Sequence, residues 1–100
     1  MAQTELKDRT QDKIKVQKPR GYQVILWNDD FTPIDFVWNV LQYIFQKTLA
    51  EAETIASLAQ KNGSSPVGTY SYDIASSLIE KSNSFSRKNG FPLTFTLQEE

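Results

Sequence analysis

The chain has 100 residues, 39% of them hydrophobic and 12% aromatic, the size of one domain with a modest core. It contains no cysteine and no histidine, which excludes disulfides, thiol nucleophiles, Ser–His pairing and most zinc sites. The net charge of −1 divides unevenly: residues 1–20 carry six Lys/Arg and three Asp/Glu, whereas residues 21–100 carry five and nine. An acidic body argues against nucleic acid as a partner, because a phosphate backbone needs a basic face. No apolar run approaches the roughly 18–20 residues that span a bilayer. The N-terminus lacks the apolar centre of a secretory signal. A cytoplasmic protein with no membrane partner is the expectation.

Residues 1–20 are polar and charge-mixed, which reads as a flexible N-terminal extension. The core domain is expected over 21–100. Tyr22–Trp27 is rich in β-branched and aromatic residues and stops at Asn28-Asp29-Asp30, the pattern of a strand ending in a turn. Thr32 is in position to cap a helix with Pro33 in its first turn and Asp35 beside the positive end of its dipole. The recurrence of Phe36, Val37, Val40, Leu41 and Ile44 carries that helix to about residue 45. Thr48 and Glu51 form a T-x-x-E capping box for a second helix, which Asn62-Gly63 stops. Its inner stripe, Leu49, Ala52, Ile55, Ala56 and Ala59, is thin.

Pro66–Tyr70 reads as a short strand, and a proline, lacking an N–H, belongs at a sheet edge or a strand start. Ser71 is expected to cap a third helix that reaches about Asn89, with Ile74, Ala75, Leu78, Ile79 and Phe85 facing inwards. Gly90 and Pro92 end it, and Leu93–Leu97 alternates as a last strand. The fold class is therefore α+β: a single β-α-α-β-α-β domain with a small antiparallel sheet of three strands packed on three helices.

Asn28, Asp29 and Asp30 admit three readings. They can be an ordinary turn and cap. Asp29 and Asp30 can join Asp35 as oxygen ligands for a metal such as Mg²⁺. Or they can accept hydrogen bonds from an ammonium group, which needs charged or carbonyl acceptors when it leaves water. Trp27 and Ile34 would then belong to an apolar wall with acceptors at its mouth.

The string from Tyr22 to Val37, YQVILWNDDFTPIDFV, resembles the signature of the ClpS adaptor family, YxVxLxNDDxTPxxFV. The resemblance continues through Val40-Leu41, Gly63, Gly68 and Tyr70 to Asn89-Gly90-Phe91-Pro92-Leu93, over roughly residues 20–98. It implies the family's β-α-α-β-α-β domain, which is also similar to the C-terminal domain of the large ribosomal stalk protein. It implies an adaptor rather than an enzyme, with no cofactor and no metal. Such adaptors bind proteins that begin with Leu, Phe, Tyr or Trp and deliver them to a ClpA- or ClpC-type AAA+ unfoldase coupled to a protease. The resemblance assigns Asn28, Asp30 and Gln60 to the substrate's α-amino group and first peptide unit. It assigns Trp27, Asp29, Thr32, Ile34, Val37, Ala56, Ala59 and Leu93 to the side-chain pocket. It gives the N-terminal extension the task of engaging the unfoldase pore, and a monomer is the default state.

Five positions depart from the family pattern. Gln60 stands where a histidine is usual, and its amide oxygen can still accept a hydrogen bond. Ile34 replaces a methionine gate and is stiffer at χ1. Ala56 and Ala59 replace larger groups, which widens the pocket towards aromatic residues unless Trp27 fills it. Leu78 stands where a basic group is expected on the unfoldase-docking face. These departures keep a second function open, a relative that binds and regulates the Clp ATPase without recognising N-terminal residues.

Overall fold

The computed structural model describes residues 21–99; the expected N-terminal extension lies outside the described residues. The element order is β1 (Tyr22–Trp27), α1 (Ile34–Tyr43), α2 (Leu49–Asn62), β2 (Ser64–Tyr70), α3 (Tyr72–Lys88) and β3 (Thr94–Glu99). This is the expected α+β order. All strand pairs are antiparallel, in the spatial order β2-β1-β3. β1, the most apolar strand, is therefore central, and Val24, Ile25 and Leu26 are all buried. Pro66 lies on the edge strand β2, where its missing N–H breaks no ladder. The β1–β2 register slips between Val24 and Ile25: Val24 pairs with Gly68 and Ile25 with Pro66, leaving Val67 as an extra residue. Val67 is buried in the core.

Val24, Leu26 and Phe95 from the sheet meet Val37, Val40, Leu41 and Phe45, then Ala52, Ala56 and Ala59 of α2 and Ala75 of α3. Phe45 and Phe95 stack in a tilted pair with centroids 5.0 Å apart. The expected inner stripe of α3 is rotated. Ile74 and Phe85 are exposed, and Ser82 and Ser86 are buried in their place. Small side chains at 75, 82 and 86 let the helix backbone lie close to the sheet, and Ser86 Oγ donates to the Ser82 carbonyl at 2.8 Å. Leu49 is likewise exposed rather than inward-facing, because it sits at the very start of α2.

The end of α3 is joined to β3 by side chains. Asn83 Nδ2 donates to the Phe95 carbonyl at 3.1 Å, and the Phe95 N–H donates to Asn83 Oδ1 at 2.9 Å. One amide thus replaces a neighbouring strand at that point of the edge. The capping box of α2 forms in full: the Glu51 N–H donates to Thr48 Oγ1 at 3.1 Å and the Thr48 N–H to Glu51 Oε1 at 2.9 Å. Hydrogen bonding from the Thr48 backbone holds the Glu51 carboxyl below its ordinary 4.5.

A carboxyl lowered on folding stabilises above its unfolded value and loses that contribution as pH falls through the folded value. Glu51→Gln keeps the geometry of the box but removes the titration. Urea midpoints of the two proteins are expected to differ at neutral pH and to converge below the ordinary value of 4.5; a difference constant across that range would contradict the assignment.

Candidate functional site

The bond that builds the site runs between backbones. The Asn28 N–H, one residue beyond β1, donates to the Gly63 carbonyl at 3.0 Å. Gly63 is the C-cap of α2, with φ 92° and ψ −26°, and its own N–H closes back on the Ala59 carbonyl. A left-handed residue turns the chain out of the helix, and this one lays the last turn of α2 beside the tip of β1. Gln60 thereby faces the Asn28–Thr32 loop across a small cavity that both line.

That loop is organised by one carboxylate. Asp29 Oδ1 accepts from the Phe31 N–H at 2.8 Å and the Thr32 N–H at 2.7 Å, and Asp29 Oδ2 accepts from Thr32 Oγ1 at 2.9 Å. Charge-assisted bonds to a carboxylate are strong and local, so they hold the bend rigid. Thr32 is therefore not the expected cap of α1. The N-cap is Pro33, in an extended conformation and without a side-chain cap bond. The Thr32 hydroxyl is drawn to Asp29 instead.

Leu26, Trp27, Asn28, Asp29, Thr32, Ile34, Val37, Ala56, Ala59, Gln60 and Leu93 line the cavity. Val37, Ala56, Ala59 and Leu93 are buried and give an apolar floor, to which Leu26 of β1 is an addition that sequence reasoning missed. Asn28 and Gln60 are exposed at the rim. Asp30 is not among the lining residues; it is exposed on the same loop, between Asp29 and Phe31. Trp27 does not fill the space. Its indole N–H donates to Thr96 Oγ1 at 2.8 Å, and Thr96 pairs with Ile25. The indole is therefore tied to β3, while Trp27 also contributes to the lining of the cavity.

The electrostatics of the rim favour a cation. The last-turn carbonyls of α2 carry the negative end of its dipole, and Asn28, Gln60 and the nearby Asp30 add acceptors. A metal site is a poorer match. Asp29 is engaged in the loop, Asp35 Oδ1 accepts from the Phe36 N–H at 3.0 Å, and among the described residues no three His, Cys, Asp or Glu groups are gathered to hold a metal.

The comparisons with known proteins agree with this architecture. Residues 17–96 match the family described as ATP-dependent Clp protease adaptor protein ClpS. The chain belongs to the ClpS family. A ClpS adapter of Clostridium acetobutylicum is 40% identical over 96 residues, covering 96% of this chain and 95% of that protein. One from Treponema denticola is 47% identical over 79 residues, covering 79% and 78%. The solved structure of Agrobacterium tumefaciens ClpS2 bound to L-phenylalaninamide is 34% identical, with a TM-score of 0.80, and covers 83% of this chain and all of that one. The adaptor role in Clp-dependent proteolysis follows from the family.

Arg87 and Asn83 were also missed as structural anchors. Arg87 reads in the sequence as a cation suited to a helix C-terminus, and nothing local signals that its guanidinium binds the next loop.

Gly63→Ala tests the turn beside the site. No atom lies within 4 Å of an added Cβ, so the penalty is conformational, about 1–2 kcal/mol for a left-handed non-glycine residue. Urea unfolding is expected to show that loss, and Gly63→Asn a smaller one.

Proposed function

We propose that this ClpS protein binds polypeptides that begin with a bulky hydrophobic residue and passes them to a ClpA- or ClpC-type AAA+ unfoldase, itself performing no chemistry. The observation that carries the reading is the pairing of a rim of uncharged acceptors, Asn28 and Gln60, with a buried floor of Leu26, Val37, Ala56, Ala59 and Leu93 around one cavity. An α-amino group with a pKa of about 7.7–8.0 is mostly charged at pH 7. Asn28, Gln60 and Asp30 accept hydrogen bonds from it, and the first side chain enters the apolar floor. An internal Leu or Phe lacks the ammonium and cannot satisfy the rim. The A. tumefaciens ClpS2 structure holds L-phenylalaninamide, whose free amino group and aromatic side chain have the chemistry expected of the ligand here.

Asp29 supports this site indirectly, by holding the loop through its three hydrogen bonds. Ile34 flanks the entrance, half-exposed at 37%. With Trp27 tied to Thr96 and alanines at 56 and 59, the pocket suits aromatic first residues better than Leu. The N-terminal extension is proposed to engage the unfoldase pore, and the setting is the cytoplasm. The alternative, a regulator of the Clp ATPase that ignores N-terminal residues, is favoured only by Gln60 and the two alanines.

Fluorescence anisotropy with Phe-, Trp- and Leu-initiated peptides and their N-acetylated twins distinguishes these readings. Acetylation is expected to abolish binding, and Asn28→Ala to weaken it about tenfold or more, the worth of a hydrogen bond to a charged group. Phe and Trp are expected to bind severalfold more tightly than Leu from added apolar burial, at about 25 cal/mol per Å². Clp ATPase binding without peptide binding would establish the regulator instead.

No histidine is present, so no imidazole titrates on the protein side. Peptide affinity measured from about pH 5.5 to 7.0 is expected to be flat, because the usual imidazole titration lies within that interval; a steep fall towards low pH would overturn the assigned rim.

A further inference from the structure

We propose that Arg87 is the positioning residue for the Leu93 wall of the cavity, setting ligand affinity from outside it; this rests on the cavity's being the site for a substrate's first side chain. Leu93 is 1% exposed and lines the cavity, yet it belongs to neither α3 nor β3 but to the connection between them. The first half of that connection is closed by α3 itself: the Gly90 N–H donates to the Arg87 carbonyl at 3.0 Å and the Phe91 N–H to the Ser86 carbonyl at 2.9 Å. The second half contains Pro92, which has no N–H to contribute.

Arg87 spans that second half. Its Nη1 donates to the Phe91 carbonyl at 3.0 Å and to the Leu93 carbonyl at 2.6 Å, and its Nη2 donates to Thr94 Oγ1 at 2.8 Å. One planar guanidinium thus holds the connection at three points, Phe91, Leu93 and Thr94. Phe91 is held in addition by an edge contact with Phe36, centroids 4.7 Å apart, and Phe36 precedes the cavity residue Val37. A lysine has one ammonium and no fork, so it cannot bridge the same acceptors together. A binding site displaced by a fraction of an ångström loses its fit, so the guanidinium controls the wall without touching the ligand.

The test uses the full chain carrying Arg87→Met, Arg87→Lys, Leu93→Val, Arg87→Met with Leu93→Val, and Asn83→Ala. Asn83 binds the backbone of Phe95, which does not line the cavity, so its variant reports loss of stability alone. Affinity for a Phe-initiated peptide is measured well below each melting temperature. Losses of about fivefold or more are expected for both Arg87 variants, a smaller loss for Asn83→Ala, and a double variant no weaker than twice the Leu93→Val loss, since coupled residues are not additive. A smaller effect of both Arg87 variants, multiplying losses in the double variant, or an equal loss in Asn83→Ala overturns the proposal. Should Arg87→Met not fold, Arg87→Lys decides alone. Leu93 methyl resonances are recorded in the ligand-free proteins as well. If the parent chain binds no peptide, the reading of the cavity fails, and the methyl shifts still decide: movement in the Arg87 variants but not in Asn83→Ala supports the positioning role, and no movement overturns it.

Discussion

The hydrogen bond from the Asn28 N–H to the Gly63 carbonyl, 3.0 Å long, is the constraint on which the site depends. It joins the end of the central strand to the end of α2. It continues the Trp27–Ser64 pairing of β1 and β2 and sets the Asn28–Thr32 loop beside the Gln60 amide. The bond is available because Gly63 adopts a left-handed conformation that a side chain would resist. It also brings the negative end of α2 against a loop that leads straight into the positive end of α1. The local field at the rim is therefore a product of two helix termini, and the one contributed by α2 suits an ammonium.

The cavity exists because α2 packs with small residues. Ala52, Ala56 and Ala59 are buried at the interface with the sheet, and alanines at 56 and 59 leave space between Leu26, Val37 and Leu93. Protein interiors are otherwise close-packed, and an unfilled apolar recess destabilises the domain unless something occupies it. Aromatic contacts lie around it: Phe45 on Phe95 in the core, and the partly exposed Phe36 against both Phe85 and Phe91. The last group links α1, α3 and the connection that carries Leu93. The recess is thus framed by elements that are themselves tied together.

The polar side chains divide into two kinds of work. Asp29, Asn83 and Arg87 spend their hydrogen bonds on backbone, closing a loop, an edge and a connection. Asn28, Asp30 and Gln60 are exposed at or beside the rim of the cavity. Asp29 and Asp30, adjacent and chemically identical, thus differ in their surroundings: Asp29 has three hydrogen-bond partners of its own, and Asp30 is exposed.

Much of this was legible locally. The Thr48–Glu51 box, the Gly63 stop, the edge position of Pro66 and the alternation of β1 are short-range effects of backbone geometry and hydrogen bonding, so the residues alone determined the element order and the α+β class. The Asn28-Asp29-Asp30 corner marked one side of the site. What the sequence could not decide were distances between segments remote along the chain. Thr32 looked like a cap because capping preference is local, but the Asp29 carboxylate competed for its hydroxyl. Ile74 and Phe85 fitted a helical stripe, but the rotation of α3 was set by how closely Ser82 and Ser86 could approach the sheet. Trp27 could have filled the pocket; only the folded chain brings Thr96 of β3 to its indole N–H. Arg87 carried no local sign of its three partners. Periodicity and capping act within a few residues and can be read along the chain, whereas the meeting of Asn28 with Gly63 and of Arg87 with the Leu93 connection follows from packing, and packing exists only in the folded molecule.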